Sequence, residues 1–411
     1  MGRSLLHDPI DIASPEFKAN PFPYYAQLRA ESPVHRVNLR IGSRPWLVTR
    51  YDDVVTVLKD DRFVKSSSNA MTPEQLGRQP WFLRMFRTKW LTPLRRNLIN
   101  VDPPDHTRLR VIVTKAFTPR RIEQLHFRIQ KLADELLDIV EHRGNMDLIR
   151  DYALPMPTTI ITEMLGVPPE DRRQFYRWTN AIAAMFSSKT AMLYAVPNMW
   201  TLMRYIRDLI RHRRADPHDD LISALIRAEE AGDTLSEDEL LGMIILLLLA
   251  GYETTANLIG SGILTLLEHP DQFEKLRYDP SLIKPGLEEL LRYTSPADMA
   301  SARYTREDVT IAGVTIPRGE GVFAVVASAN RDGLLASFGA QQQRRSSIGS
   351  PFRRKKRECS DWRGRVRAPC GAKSPNTLVD LRKAVNGFTS GIAAATILKP
   401  YVTLCRQAAT G

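Results

Sequence analysis

The residues best able to do chemistry interrupt an apolar stretch. Gly251, Tyr252, Glu253, Thr254 and Thr255 lie inside residues 236–269, SEDELLGMIILLLLAGYETTANLIGSGILTLLEH. A buried carboxylate beside two hydroxyls costs several kcal/mol unless something is gained. Glycine would let a ligand lie flat against a helix, and the hydroxyl and carboxylate beside it could bond backbone carbonyls or hold water. The plainer alternative is a helix with one tolerated glycine and satisfied polar side chains. Two further pairs stand out. His106 and Arg110 are four apart, so they share a helix face and could grip one anionic group, the alternative being a solvated basic face. Glu289 and Arg292 share a face at i, i+3, where the ordinary reading is a surface pair worth a few tenths of a kcal/mol.

The element that must carry the polar step starts clearly. Ser236 can cap, Glu239 closes a capping box, and Leu235 with Leu240 can form a hydrophobic staple. Apolar residues on every face predict a helix buried on all sides, about 50 Å long if it runs to Pro270 at 1.5 Å per residue. The unbroken apolar run 240–250 is shorter than the roughly 18 residues of a membrane span, so no membrane is expected.

Around it, the pattern predicts a helix over 15–30, strands over 34–39 and 46–49 split by Gly42, and a helix to Leu58 capped by Asp52. Residues 71–100 lack a clean period and read as loop with short helices. A proline-stopped loop at 102–104 turns into a helix, and further helices are expected over 125–140, 152–165, 172–186, 219–231 and 280–293. Met185, Met192, Met199 and Met203 read as core filler, though thioether walls also suit adaptable apolar ligands. Arg303, 309–316 and 321–328 read as strands, with a turn at 317–319. The fold class is therefore mainly α with small β-sheets.

The chain has 411 residues, 43% of them hydrophobic, enough for a large core. Its net charge of +12 is concentrated, since residues 333–373 hold eleven Lys and Arg against two acids. The first residues contain no apolar signal region, and a cytoplasmic protein is expected. Cys359, Cys370 and Cys405 lack C-x-x-C spacing and no H-x3-H pair occurs, so neither a disulfide nor a zinc framework is expected.

Together these residues resemble the soluble, bacterial-type cytochromes P450, the haem-thiolate monooxygenases. Ala250-Gly251-Tyr252-Glu253-Thr254-Thr255 is similar to the family's oxygen-binding motif, with Tyr252 where many members have His. Glu289-Leu290-Leu291-Arg292 matches E-x-x-R. Residues 102–110, DPPDHTRLR, resemble the loop and helix whose His106 and Arg110 positions bond haem propionates, and Arg303 falls where another propionate-binding Arg is expected. The resemblance covers residues 14–332. It implies haem as cofactor, an apolar small-molecule substrate, and a ferredoxin or flavodoxin-type electron donor. It implies that Gly251 gives dioxygen access, that Glu253 and Thr254 support proton delivery for O–O cleavage, and that Glu289 with Arg292 joins a buried ion network under the haem.

At Asp332 the texture changes. Residues 333–411 begin with a segment rich in Arg, Ser, Gln and Gly, are expected to lack packed structure, and offer weak helical patterns at 377–385 and 391–401. The axial-ligand string F-x-x-G-x-x-x-C-x-G is absent, as are the P-x-x-F and basic meander segments, so Glu289 and Arg292 are expected to lack their third partner. The domain reading is a P450-like portion over 1–332 and an aberrant basic tail over 333–411, the product of a frameshift or mis-joined segment. The expected consequence is an inactive monooxygenase with no identifiable metal ligand. The alternative is a non-enzymatic remnant whose Arg-rich tail binds nucleic acid or another polyanion, although a charge run is more often simply solvated.

Overall fold

Local chemistry fixes most helix ends in this computed structural model, which describes residues 11–12, 14–39, 44–77, 88–143, 145–183, 189–230 and 235–333. Gly42, Met185, the three cysteines, the tail with its two weak helical patterns, and residues 78–87 of the irregular stretch lie outside these residues, as does the side chain of Met192. The helices of eight or more residues begin with α1 (Phe22–Glu31), α2 (Tyr51–Lys59), α3 (Asp105–Ala116) and α4 (Pro119–Arg143). Then come α5 (Pro155–Met164), α6 (Arg172–Ala183), α7 (Lys189–Ala215) and α8 (Leu221–Glu230). The last three are α9 (Glu237–Glu268), α10 (Pro270–Tyr278) and α11 (Ile283–Thr294). The strands are β1 (Val34–Arg36), β2 (Trp46–Val48), β3 (Phe63–Val64), β4 (Arg303–Thr305), β5 (Val309–Ile311), β6 (Val314–Ile316) and β7 (Gly321–Ala324). The chain is thus mainly α with two small sheets, as its pattern predicts.

These elements form two compact units. Among the described residues, one draws on those up to Leu91, Ile99–Asp102 and Glu289–Gly333; the other on those within Thr92–Leu98 and Pro103–Glu288.

The first unit holds both sheets. Five strands run in the order β1-β2-β7-β4-β3, with β2 and β7 parallel and the other pairs antiparallel. Alternation along β2 sends neighbouring side chains to opposite faces. Val48 joins a core of Val54, Val57, Phe63 and Val322, while Leu47 joins Phe17, Tyr25, Leu28 and Val325. Several expectations are corrected here. The helix expected over 15–30 is two, Pro15–Ala19 and α1, because Pro21 cannot donate a helical N–H. The strand expected over 309–316 is the hairpin β5–β6, turned at Ala312 and Gly313, whose φ angles are 48° and 78°. The strand expected over 321–328 ends at Ala324 and gives way to a short helix, Val326–Ala329. Asp52 does not cap α2. It lies in the first turn, and the Tyr51 amide donates instead to Asp332 Oδ2 at 3.0 Å.

The second unit is built on α9, whose capping box at Ser236 and Glu239 forms as expected. Its 32 residues pack against the short helix Thr92–Arg95, against α5 and against a π-type turn at Leu148–Ala153. Gly242 permits the first approach, since a Cβ there would stand 2.1 Å from the Pro93 carbonyl oxygen. By length and composition α9 could cross a membrane, and 67% of its most apolar stretch is buried inside the protein. Helices α6 and α7 pair, and α8 packs on α3. Met199 and Met203 are buried, consistent with core filler.

Candidate functional site

Helix α9 carries the polar step with its side chains divided between two surroundings. Gly251, Tyr252 and Thr255 are buried, Thr254 is half-buried and Glu253 is exposed. This corrects the expected buried carboxylate. At 100° per residue, positions 246, 250, 253, 257 and 261 form one stripe of α9, and all five are half-buried or exposed. Glu253 therefore keeps its hydration, while the hydroxyls sit at the margin of the core. Thr254 Oγ1 donates to the Ala250 carbonyl at 2.6 Å, which leaves its lone pairs available to accept. Thr255 Oγ1 is buried without a hydrogen-bond partner. Tyr252 donates to Asn180 Oδ1 on α6 at 2.5 Å and meets the Tyr176 ring edge-on at 6.1 Å. Burial pushes its phenol above the ordinary range, with Tyr176 adding to the effect.

A second link in the same unit orients α3. Glu239 Oε2 accepts from the Ser236 amide at 2.9 Å, and Oε1 accepts from Arg108 Nη2 at 2.5 Å. Burial alone would raise the Glu239 carboxyl, but bonds from Arg108 and the Ser236 backbone outweigh it and hold the group below its ordinary value. His106 and Arg110 lie two residues either side of Arg108, about 200° round the helix. The anchor on α9 thus leaves them sharing a different face of α3, where both are half-buried.

In the first unit, Glu289 and Arg292 meet in a two-pronged pair at 2.6 and 2.7 Å. The bond to Glu289 raises the Arg292 guanidinium above its ordinary value against the opposing effect of burial. Arg292 Nη1 also donates to the Asn330 carbonyl at 2.6 Å, while the partner expected to be absent belongs to residues 334–411, outside the described ones. Neighbouring residues are docked as well. Asn330 Nδ2 donates to Ser295 Oγ at 3.0 Å, and Arg331 Nη2 donates to the Tyr293 carbonyl at 2.6 Å.

Arg303, on β4, is half-buried. Nη1 donates to the Phe63 carbonyl at 3.4 Å, and Nε is buried without a partner. Burial lowers its guanidinium from the ordinary range and Asp102 opposes this in part. Asp102 is itself engaged by the Lys65 and Ser66 amides at 2.7 and 3.1 Å and by Asn69 Nδ2 at 2.9 Å. A buried N–H on a guanidinium is a ready donor to an anionic oxygen. That donor chemistry fits the carboxylates of a haem. The iron ligand does not follow: none of the described residues is a cysteine, and among them no group of three His, Cys, Asp or Glu could hold a metal.

Of the residues expected from the sequence, His106, Arg110, Gly251, Glu253 and Thr254 belong to one unit, and Glu289, Arg292 and Arg303 to the other. The Arg108–Glu239 and Tyr252–Asn180 links and the role of Asn330 escape sequence reading. Arg108 and Glu239 stand 131 residues apart, and no local pattern joins them.

Comparison with known proteins finds relatives over most of the chain. The family model described as Cytochrome P450 matches residues 37–280. The chain is 43% identical over 321 residues to the polyketide biosynthesis cytochrome P450 PksS of Bacillus subtilis, covering 77% of each. It is 44% identical over 325 residues to the vitamin D(3) 25-hydroxylase of Pseudonocardia autotrophica, covering 78% of this chain and 76% of that protein. Among solved structures it is similar to that of Bacillus subtilis PksS, with a TM-score of 0.72 and 35% identity, over 96% of this chain and 92% of the other.

Proposed function

The chain belongs to the cytochrome P450 family of haem monooxygenases, and from that premise we propose that residues 1–332 are the substrate-oxidising scaffold of such an enzyme without its iron-ligand loop. The observation that carries this reading is the polar step on α9, with Thr254 bonded to Ala250 beside an exposed Glu253. Haem, when bound, would supply dioxygen activation and insertion of one oxygen atom into an apolar small molecule.

The chain's own residues have separate tasks. His106, Arg110 and Arg303 would hold and neutralise the two propionates. Glu253, in contact with solvent, would exchange protons with bulk water and pass them to a water accepted at Thr254 Oγ1. Gly251 would keep the helix surface low at the reacting position. Glu289 and Arg292 would brace the first unit. Electrons would come from a ferredoxin or flavodoxin-type donor in the cytoplasm, with no membrane involved. The run of bonds from Asn330 to Asp332 supports placing the end of the family portion at Asp332.

The lack of the F-x-x-G-x-x-x-C-x-G string after Asp332 makes this chain inactive as it stands, and a frameshift or mis-joined segment accounts for it. Reading the other two frames of the encoding DNA past the Asp332 codon tests the origin of the tail, and the idea fails if neither spells the loop. Function is tested by joining residues 1–332 to the corresponding C-terminal segment of the Bacillus subtilis relative. The chimera is expected to bind haem, show a thiolate-type Soret band with carbon monoxide, and oxidise an apolar substrate. A folded chimera without haem would overturn the reading.

A further inference from the structure

In the second unit, away from the polar step of α9, a cavity of about 450 Å³ opens among Lys115, Arg120, Arg121, Arg227 and Asp219. Its cations come from three elements: the end of α3, the first turn of α4, and α8. The three arginines face one carboxylate, Asp219. The placement is unfavourable in itself. Helix α4 has 25 residues and no acidic residue in its first turn, so Arg120 and Arg121 sit at the positive end of a long helix dipole. Convergent like charges that oppose the helix field are a local conflict, and such conflicts gather at functional positions.

One of the cations is already held in place. Arg121, 20% exposed, donates to Asp219 Oδ1 at 2.7 Å and more weakly to the Ala116 carbonyl at 3.5 Å. Asp219 is 80% exposed, so its carboxylate lies at the mouth of the cavity and not at its base. Arg120 and Arg227 are exposed and act on Asp219 through space. The arrangement is a half-open groove of small-molecule size, in which one carboxylate meets three guanidinium groups.

We propose that this cavity binds a small phosphate-bearing molecule. Arg121 is the fixed anchor, Arg120 and Arg227 close on the phosphate oxygens, and Asp219 is an internal competitor that the anion displaces. The site involves no residue assigned to haem, and its test needs none.

Calorimetric titration of the full chain with inorganic pyrophosphate decides the matter. Saturable binding of one equivalent is expected. Arg120→Glu and Arg227→Glu each weaken it roughly tenfold or more, since each replaces an attractive charge with a repulsive one. Asp219→Ala tightens it, a direction that misfolding cannot imitate. No saturable binding, or binding unaltered by both charge reversals, overturns the proposal, the second result placing the anion on the basic residues beyond 332. Weaker binding by Asp219→Ala also overturns it, because a competitor's removal cannot weaken its rival.

Discussion

Arg292 donates from Nη1 to the carbonyl oxygen of Asn330 at 2.6 Å while Glu289 holds its other two nitrogens. The guanidinium thus joins α11 to the segment at Asn330. Its removal would strand the Glu289 carboxylate, whose side chain is 15% exposed. Arg292→Ala is expected to cost about 2 kcal/mol, less than a fully buried pair because the arginine is partly solvated. The midpoint of urea unfolding measures it, and Arg292→Lys should recover only part, since an ammonium cannot reproduce the fork.

Glu239 gives a pH signature. Its carboxyl is held below the ordinary value in the folded chain, so its contribution is fully present above the unfolded pKa and is lost as pH falls through the folded one. Glu239→Gln keeps a capping-box side chain but loses the charge facing Arg108. It should be about 1 kcal/mol less stable at neutral pH. The difference should shrink toward zero in acid, below the ordinary glutamate range, and unfolding curves for both proteins across that range check it.

Two glycines of α9 should respond differently to the same substitution. A Cβ at Gly242 would meet the Pro93 carbonyl oxygen at 2.1 Å, which is backbone, whereas one at Gly260 would meet the mobile end of Ile149 at 2.5 Å. Gly242→Ala is expected to lose about 2 kcal/mol by forcing the short helix Thr92–Arg95 away. Gly260→Ala should stay within about 1 kcal/mol of the parent, because Ile149 can shift and alanine favours the helix. Thermal unfolding of the two variants ranks them.

Tyr252 ties α9 to α6 through Asn180. Tyr252→Phe retains the ring against Tyr176 and removes the bond, so a loss of about 1 kcal/mol is expected. Hydrogen exchange should quicken in α6 and stay unchanged in the first turns of α9 around the capping box, which separates a local tether from general loosening.

Much of this was legible in the residues because it was local. The capping box, the long apolar helix and the i, i+3 pair at Glu289 each depend on neighbours a few positions away, and each forms. The misreadings were of another kind. Asp52 was a plausible cap, yet Asp332 reaches α2 from 281 residues away. Glu253 looked buried because its neighbours are apolar, but its stripe of α9 is less covered than the others. Tertiary partners are chosen by the fold, and spacing along the chain does not encode them.

A reduced, carbon-monoxide-treated absorption spectrum of the purified 411-residue chain bears most directly on the claim that a P450 scaffold here lacks its iron ligand. We expect no thiolate-type Soret band, whether or not haem is added. A thiolate-type band that disappears when Cys359, Cys370 or Cys405 is replaced would contradict that claim.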